Sequence, residues 1–299
     1  MRTVGLVVLV AVALGFDFTN GFHDAANAVA VSITTKALRP LTALMMAAGL
    51  NVVGALVSTK VAATVGKGII SVPGGTKGLV IVFAALIGGI AWNLLTWRLG
   101  LPSSSTHALI GGLVGAAIGS AGTVKWHGLV DKVIVPMAVS PLIGLALGYL
   151  VMVLILWGFR RLRPALVNRG FRRAQTLSTA AMAFSHGTQD AQKTMGVITL
   201  ALVTTGHLHG FRVPDWVILS AAAAMGLGTL AGGWRIIRTL GNRITTLDPP
   251  RGFAAQSAAS TVLLVSAYGY AMPVSSTHIM TSAIMGVGAS RRLSAVHWG

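Results

Sequence analysis

The chain of 299 residues has no cysteine, no glutamate and few charged residues of any kind. The lack of cysteine excludes disulfides, thiolate metal sites and cysteine nucleophiles. Charged residues make up 10% of the chain and hydrophobic residues 54%, whereas about 25% of the residues in a soluble domain are charged. Such a chain cannot cover a surface that faces water, so the composition predicts an integral membrane protein.

Apolar runs of about 20 residues recur along the chain, which is the length that a helix needs to cross the hydrocarbon core of a bilayer. We therefore expect an all-α integral membrane protein. The first run lacks a small-residue cleavage site and is interpreted as a span, not as a removed signal. The predicted spans are 4–35, 40–59, 78–98, 101–122, 133–158, 174–205, 214–234, 252–270 and 272–290.

The net charge is +17, but its distribution does not favour nucleic-acid binding. The positive residues cluster between the apolar runs, as the positive-inside rule expects of a membrane protein. Arginine is densest in residues 158–173, which are predicted to form a cytoplasmic loop. Partners are therefore the lipid bilayer and a solute, and not nucleic acid.

Two kinds of polar element occur twice, each within apolar sequence. Residues 20–27 resemble residues 186–193, and residues 101–107 resemble residues 272–278. This duplication is typical of a transporter built from two repeats. We assign repeat 1 to residues 1–122 and repeat 2 to residues 174–299. Residues 123–173 then supply a connecting span and the basic cytoplasmic loop.

An odd number of crossings separates the two repeat starts, so the second repeat is predicted to be inverted relative to the first. Spans 4–35 and 174–205 have 32 residues each, too many for one straight crossing, and both carry an aspartate. We expect each to be broken or bent there, which gives a fold with broken or re-entrant helices at its centre. Extra crossings in both segments would instead make the repeats parallel.

The first kind of element supplies oxygen ligands. Asp24 and Asn27 are three residues apart and share a helix face, and Asn20 adds an oxygen one turn earlier. This set suits a hard cation such as Na⁺, or a proton. In repeat 2, Asp190 and Lys193 occupy the positions of Asp24 and Asn27. Lys193 either holds the charge of an anion or forms an ion pair with Asp190 that only fixes helix packing.

The second kind of element is a predicted helix start. Pro102 and Pro273 suit a first helical turn, and the following hydroxyls suit cap positions. A helix N-terminus offers free N–H groups and partial positive charge, so two of them can hold an oxyanion. Plain capping, or bonding back to the preceding turn, is the alternative. The candidate anion ligands are Ser104, Ser105, Thr106, Ser275, Ser276, Thr277 and Lys193.

Histidine and glycine add two further expectations. Histidine titrates near neutral pH and can carry a coupling proton. The candidate relay residues are His23, His107, His186 and His278, each within a repeated element. Gly111, Gly115 and Gly119 have the spacing of a close helix contact, within one subunit or between the two subunits of a homodimer.

At these residues the chain resembles the inorganic phosphate transporter family known as PiT. The matching segments are 15–28, 184–187 and 190–196, together with the two proline–hydroxyl–histidine elements. The resemblance implies a secondary transporter that moves phosphate with Na⁺ or H⁺ and needs no other cofactor. Some bacterial members carry phosphate as a neutral metal complex, and a few members are sulfate permeases.

The resemblance also implies positions for the site. Asp24, Asn27, Asp190 and Lys193 fall on the polar core of the family, and the six hydroxyl residues fall on its substrate-facing hairpin starts. Asn20 and Gln189 complete the predicted coupling-ion set. Gln189 departs from the family, which usually has asparagine there, so the geometry of the cation site in repeat 2 is open.

The sequence therefore predicts a phosphate importer of a bacterial inner membrane, and not an enzyme. Protons are preferred to Na⁺ as the coupling ion because four histidines lie in the repeated elements. A sulfate permease of the same fold is the first alternative, and a passive channel is another. An intramembrane hydrolase using Ser104, His107 and Asp24 is a third, but a nucleophile needs one copy and this set is duplicated.

Overall fold

The computed structural model describes residues 2–120 and 122–297, and these residues are almost entirely helical. A short antiparallel pair of strands, β1 (Ile70–Ser71) and β2 (Thr123–Val124), joins two loops. The helices of the first part are α1 (Arg2–Thr34), α2 (Pro40–Val57), α3 (Lys60–Gly68), α4 (Thr76–Leu99) and α5 (Ser105–Ile118). A connector, α6 (Trp126–Leu129), continues through a π-helical turn (Val130–Ile134) into α7 (Val135–Phe159).

The second part repeats the pattern of the first. Its helices are α8 (Pro164–Thr204), α9 (Asp215–Ala231), α10 (Trp234–Asn242), α11 (Pro249–Leu264) and α12 (Ser276–Ala289). A π-helical turn (Val265–Gly269) extends α11, and a 3₁₀ turn (Leu293–Ala295) follows α12. The element order α1 to α5 thus corresponds to α8 to α12, with α7 between the two sets.

The prediction of an all-α integral membrane protein is confirmed. Four described helical segments are long and apolar enough to cross a membrane: Thr3–Thr34, Pro40–Val57, Thr76–Leu99 and Trp126–Phe159. The bent pair α9 and α10 makes a fifth if it counts as one span. Helices α5 and α12 have 14 residues each and reach about 21 Å, which is short of a core of about 30 Å. These two predicted spans do not cross alone.

The predicted interruption of the two longest segments is absent from the described residues. Helix α1 runs without a break for 33 residues and α8 for 41, straight through their aspartates. The two aspartates find hydrogen-bond partners at the starts of other helices, so the backbone need not open around them. The breaks lie instead in the extended segments 100–104 and 270–275, and at a 69° bend between α9 and α10.

Two local predictions are corrected by the helix boundaries. The predicted cytoplasmic loop 158–173 is mostly helical, because α8 begins at Pro164 and carries several of its arginines. Pro102 and Pro273 lie in the extended segments, two residues before the N-caps Ser104 and Ser275, and not in the first helical turn. The residue before a proline disfavours helical backbone, which keeps Leu101 and Met272 out of the helices. The serine N-caps then set where both helices begin.

The repeats are inverted, as predicted, and the parallel alternative is wrong. The hydroxyl of Thr35 near the end of α1 donates to Gln175 near the start of α8, at 2.7 Å. Asp17, in the middle of α1, lies beside Thr194, which is closer to the end of α8 than Gln175 is. Helices α1 and α8 therefore run antiparallel.

Each of these two central helices packs closely against the second helix of the other repeat. Gly21 of α1 faces α9, where an added Cβ would lie 2.5 Å from the carbonyl oxygen of Met225. Gly187 stands at the equivalent position of α8 and faces the backbone of Asn51 in α2. Because neither glycine has a side chain, the four helices form a tight central bundle.

The small-residue series in α5 does not make the helix contact that was predicted within the chain. Gly111, Gly115 and Gly119 point away from the described part of the protein, with no atom of another helix near an added Cβ. The neighbouring Gly112 makes the close contact instead, against the backbone of Ala85 in α4, where an added Cβ would lie 2.6 Å from its carbonyl oxygen.

Candidate functional site

Asp24 and Asp190 lie together at the centre of the bundle. Their side chains are 2% and 0% exposed. Together with His186 they offer ligand atoms that all lie within 4.8 Å of one another. The antiparallel crossing of α1 and α8 produces this arrangement, because equivalent positions of the two repeats then meet near the middle of both helices. Two buried carboxylates this close repel each other unless positive charge or hydrogen bonds offset the repulsion.

Asp24 is held by residues of both repeats. One carboxylate oxygen lies 2.8 Å from Nδ1 of His23 and accepts a hydrogen bond from the Thr277 hydroxyl at 3.3 Å. The other accepts from the Ser105 hydroxyl at 2.7 Å. The side chain therefore connects α1 to the starts of both α5 and α12.

Asp190 is surrounded by positive and hydroxyl groups. The Lys193 ammonium donates to its Oδ1 at 2.5 Å, and the Ser276 hydroxyl donates to its Oδ2 at 3.2 Å. Nε2 of His186 lies 3.0 Å from the same Oδ2. Lys193 also donates to the Thr106 hydroxyl. This ammonium is fully buried and links α8 to the start of α5.

The partners of Asn27 and Lys193 cross between the repeats. The Asn27 amide of repeat 1 donates to the hydroxyls of Ser276 and Thr277 in repeat 2, at 3.2 and 2.9 Å. Lys193 of repeat 2 reaches Thr106 in repeat 1. Each central helix therefore holds the start of the short helix of the opposite repeat.

The starts of α5 and α12 meet at this site. Ser104 and Ser275 cap these helices, each accepting a hydrogen bond at 3.2 Å from the backbone N–H three residues later. The rings of His107 and His278 stack edge to face at a centroid distance of 4.6 Å. Both N-termini therefore direct partial positive charge and free N–H groups to one place. A cavity of about 600 Å³ opens beside them and is lined in part by Ser103, Ser104, His107 and His278.

His23 and Gln189 occupy equivalent positions and hold equivalent segments. Nε2 of His23 lies 2.9 Å from the Thr96 hydroxyl and 3.5 Å from that of Ser103, where α4 gives way to the extended segment 100–104. The Gln189 amide donates to the carbonyls of Leu263 and Met272, at the corresponding place in repeat 2. The Gln189 side chain is thus directed at the hairpin backbone and not at Asp190.

The remaining predicted residues contact the second helices of the opposite repeats. Nδ1 of His186 lies 3.2 Å from Oδ1 of Asn51 in α2. The Asn20 amide donates weakly to the sulfur of Met225 in α9, at 3.8 Å.

Sequence reasoning missed several polar residues of this centre. Asn51 and Thr96 lie outside the repeated motifs and reach the site only through packing. Ser103 lies within one of these motifs but was not among the predicted ligands. Asp17 could have been identified from the sequence, because it is a second carboxylate, besides Asp24, in the apolar sequence of α1. An ionisable residue at membrane depth is costly and is usually functional, and this holds for Asp17 as well as for Asp24.

The arrangement can hold an anion and a cation side by side. Lys193, the hydroxyls of Ser105, Thr106, Ser276 and Thr277, and two helix N-termini offer donors to an oxyanion. The carboxylates of Asp24 and Asp190 offer hard oxygen ligands to a cation. No hydrolytic triad forms among the described residues, because His107 faces His278, Ser104 caps α5, and Asp24 contacts His23.

A phosphate transporter family model matches the chain over residues 20–165 and again over residues 159–299. A protein of Mycobacterium bovis described as a "probable low-affinity inorganic phosphate transporter" is 49% identical, over 98% of this chain and 71% of that protein. A protein of Bacillus subtilis with the same description is 44% identical, over 98% of this chain and 88% of that protein.

One solved structure, "the sodium-dependent phosphate transporter", superimposes with a TM-score of 0.89. The alignment covers 98% of this chain and 92% of that one, at 23% sequence identity. At this identity the likeness establishes the fold, which the two chains share over nearly their whole length.

Proposed function

Since this chain belongs to the phosphate transporter family, we propose that it imports inorganic phosphate together with a cation across a bacterial inner membrane. As a member of that family it is a multi-pass membrane transport protein, and the hydrolase alternative is wrong.

The observation that supports coupling is the proximity of Asp24 and Asp190 to the anion donors. Ser105 and Ser276 each donate directly to one of these carboxylates, at 2.7 and 3.2 Å. An oxyanion bound by the same hydroxyls would lie next to two negative charges in a medium of low dielectric constant, where repulsion is strong. Lys193 offsets only one of them. Phosphate therefore binds only when cations bind with it, which is the requirement for symport.

In the proposed site, phosphate lies between the starts of α5 and α12. Lys193 and the hydroxyls of Ser105, Thr106, Ser276 and Thr277 donate to its oxygens, and Ser104 and Ser275 keep the two helix N-termini formed. Asp24, Asn27 and Asp190 bind the coupling ions. Asn20 and Gln189 act from outside this set, by holding neighbouring helices and the hairpin backbone.

We propose the proton as the coupling ion of the central pair. His23 and His186 each lie beside one of the two aspartates, at 2.8 and 3.0 Å, and His107 and His278 form a stacked pair at the cavity. We infer that these imidazoles pass protons to the two carboxylates. Na⁺ is the competing ion, and the name of the solved structural neighbour supports it.

Transport requires that the site open to each side of the membrane in turn. The central helices of one repeat pack on the second helices of the other, so the two inverted halves are interlocked around the site. We propose that rocking of one half against the other alternates access, as in other transporters with inverted repeats.

Uptake of labelled phosphate into proteoliposomes tests this function, with Na⁺ and H⁺ gradients imposed separately. We expect accumulation driven by an inward H⁺ gradient in Na⁺-free buffer, and its collapse on addition of a protonophore. A strict requirement for Na⁺ would contradict proton coupling, and equilibration without accumulation would indicate a passive channel.

Uptake into the same vesicles distinguishes transport of free phosphate from transport of sulfate or of a neutral metal–phosphate complex. Excess unlabelled sulfate should leave phosphate uptake unchanged, because sulfate lacks the proton that phosphate donates to an acceptor near neutral pH. Inhibition by sulfate would favour a sulfate permease. Loss of uptake on removal of divalent cations would indicate that phosphate crosses as a neutral metal complex.

The variant Asp24→Asn tests the role of the carboxylate. Asparagine keeps the shape but cannot bind a cation by charge, so we expect gradient-driven accumulation to be lost while the protein still folds. Asp131→Asn is the matched control, because Asp131 is half-exposed and pairs only with His127 on the described surface. Accumulation at wild-type level in Asp24→Asn would refute the proposed coupling site.

A further inference from the structure

Asp17 is a buried carboxylate that the proposed transport site does not use. It lies on α1, seven residues before Asp24, and its side chain is 0% exposed. Neither of its carboxylate oxygens has a hydrogen-bond partner among the described residues. A buried charge is costly unless it is paired, so this carboxylate requires a positive partner to be present as a charge.

Two further unpartnered oxygens belong to residues beside Asp17. Thr194 and Asn20 are its polar neighbours, close enough to act on the carboxylate but without a hydrogen bond of good geometry to it. Both residues are fully buried. The hydroxyl of Thr194 and the amide oxygen of Asn20 have no hydrogen-bond partner in the described part of the chain. Asn20 instead uses its nitrogen, toward the sulfur of Met225. Buried polar atoms are almost always hydrogen-bonded, so three such side chains together indicate a missing ligand.

The nearest ammonium does not satisfy Asp17. Lys193 is close enough to act on its charge, but donates to Asp190 and Thr106. Asp190 adds negative charge to the same region. The surroundings of Asp17 therefore favour an additional cation. The unpartnered atoms are all oxygens, the ligand type that hard cations prefer.

The cluster around Asp17 is not duplicated by the inverted repeat. The offset of 166 residues that relates Asp24 to Asp190 places Ala183 opposite Asp17 and Ala28 opposite Thr194. Both alanines are buried and offer no ligand. The cluster of oxygens therefore belongs to one repeat position only, unlike the groups around the proposed anion site.

We propose that Asp17, Asn20 and Thr194 form a binding site for one Na⁺ ion beside the central pair of aspartates. The site rests on the proposed function in one respect, since it places a resident cation beside the carboxylates that bind the coupling protons. This Na⁺ stays on the protein and is not moved with phosphate. Its position on α1 and α8 joins the two helices that carry Asp24 and Asp190. Bound Na⁺ offsets the Asp17 charge and lowers the repulsion that an incoming anion meets.

Equilibrium binding of ²²Na⁺ to the purified protein in phosphate-free nanodiscs tests the site directly. We expect Asp17→Asn to bind one Na⁺ fewer per chain than the wild type. Thr194→Val should weaken the binding of this Na⁺ by about tenfold or more, as expected when a charged ion loses one ligand. Thr199→Val is the matched control, because Thr199 is equally buried in α8 and its hydroxyl is satisfied by the carbonyl of Met195.

The results distinguish failure of the proposed Na⁺ site from failure of the proposed transport function. Equal Na⁺ binding by wild type and Asp17→Asn overturns the proposal, and so does a loss in Thr199→Val as large as that in Thr194→Val. The proposal is also overturned if the wild type binds no Na⁺. If Asp17→Asn then changes the pH profile of phosphate uptake, the Asp17 carboxyl binds a proton instead. The absence of phosphate uptake by the wild type would instead refute the proposed function, because the binding assay uses no phosphate.

Discussion

Lys193 carries a full positive charge that the described part of the chain buries completely, and its contacts define two competing roles. It donates to Asp190 at 2.5 Å and to the Thr106 hydroxyl. An ion pair that only fixes helix packing would need Asp190 but not the start of α5. The contact with Thr106, at a helix N-terminus, places the ammonium where an oxyanion would also be bound.

Neutralising both members of this pair distinguishes the two roles. Asp190→Asn or Lys193→Gln alone should destabilise the protein by about 3–5 kcal/mol, because each leaves a buried charge unpaired. The double variant removes both charges and should regain stability. We expect its phosphate uptake to remain reduced by about 30-fold or more, since loss of a buried charged contact costs about 2–5 kcal/mol.

Thermal unfolding in detergent and uptake in proteoliposomes, measured on the same preparations, check this double variant. Recovery of both stability and uptake would mean that the pair serves packing only. Recovery of stability alone means that the pair takes part in transport, through Lys193 at the anion or Asp190 at the coupling ion.

At the scale of helices, the close approach of α8 to α2 positions the site. Gly187 packs against the backbone of Asn51, and His186, the residue before it, contacts the Asn51 side chain at 3.2 Å. A side chain at position 187 would separate the helices. It would also move His186 and Asp190, which lie within one turn of it.

Gly187→Ala should therefore lower stability by about 1–3 kcal/mol, the usual cost of overpacking a filled interior. Its Cβ would overlap the carbonyl of Asn51, whose backbone cannot move away easily. Gly111→Ala is the matched control, because it makes the same change in a helix where no described atom lies within 4 Å of the new Cβ. Thermal unfolding of both variants checks the difference, and equal midpoints would show that α8 and α2 are not tightly packed.

At the scale of the whole molecule, arginine is concentrated at one end of the bundle. The arginines after α7, those in α10 and those after α12 lie at the end where α1 finishes and α8 begins, because Gly241 of α10 packs on Thr34 and the segment after α12 bonds to Ile244. Arg235 of α10 reaches the carbonyl of Arg98 at the end of α4, which places α4 there as well. The lysine-bearing segments around β1 and β2 lie at the opposite end. The arginine-rich end is therefore expected to face the cytoplasm.

Single-cysteine variants test this orientation against a background without cysteine. Asn168→Cys, exposed near the start of α8, should react with an impermeant maleimide only from the cytoplasmic side. His209→Cys, exposed in the loop after α8, should react only from the outside. Labelling of right-side-out and inside-out vesicles checks both, with the unmodified chain as the blank. Reaction of both positions from one side would contradict a single crossing by α8.

Several features followed from the sequence because they are properties of order and composition along one chain. The membrane class follows from scarce charge and long apolar runs. The inverted pair of repeats follows from duplicated polar elements in apolar sequence. The resemblance to the phosphate transporter family rests on the same elements. The hydroxyl residues at the starts of α5 and α12 were identified because capping is a local preference.

Tertiary structure alone decided the features that depend on how helices are rotated and which distant residues meet. The continuity of α1 and α8 required partners supplied by other helices. The Gly111 series points outward while Gly112 makes the contact, a difference of one residue around the helix. The backbone contacts of Gln189 and the unpartnered oxygens beside Asp17 have the same origin, since a sequence gives the order of side chains but not the surfaces that enclose them.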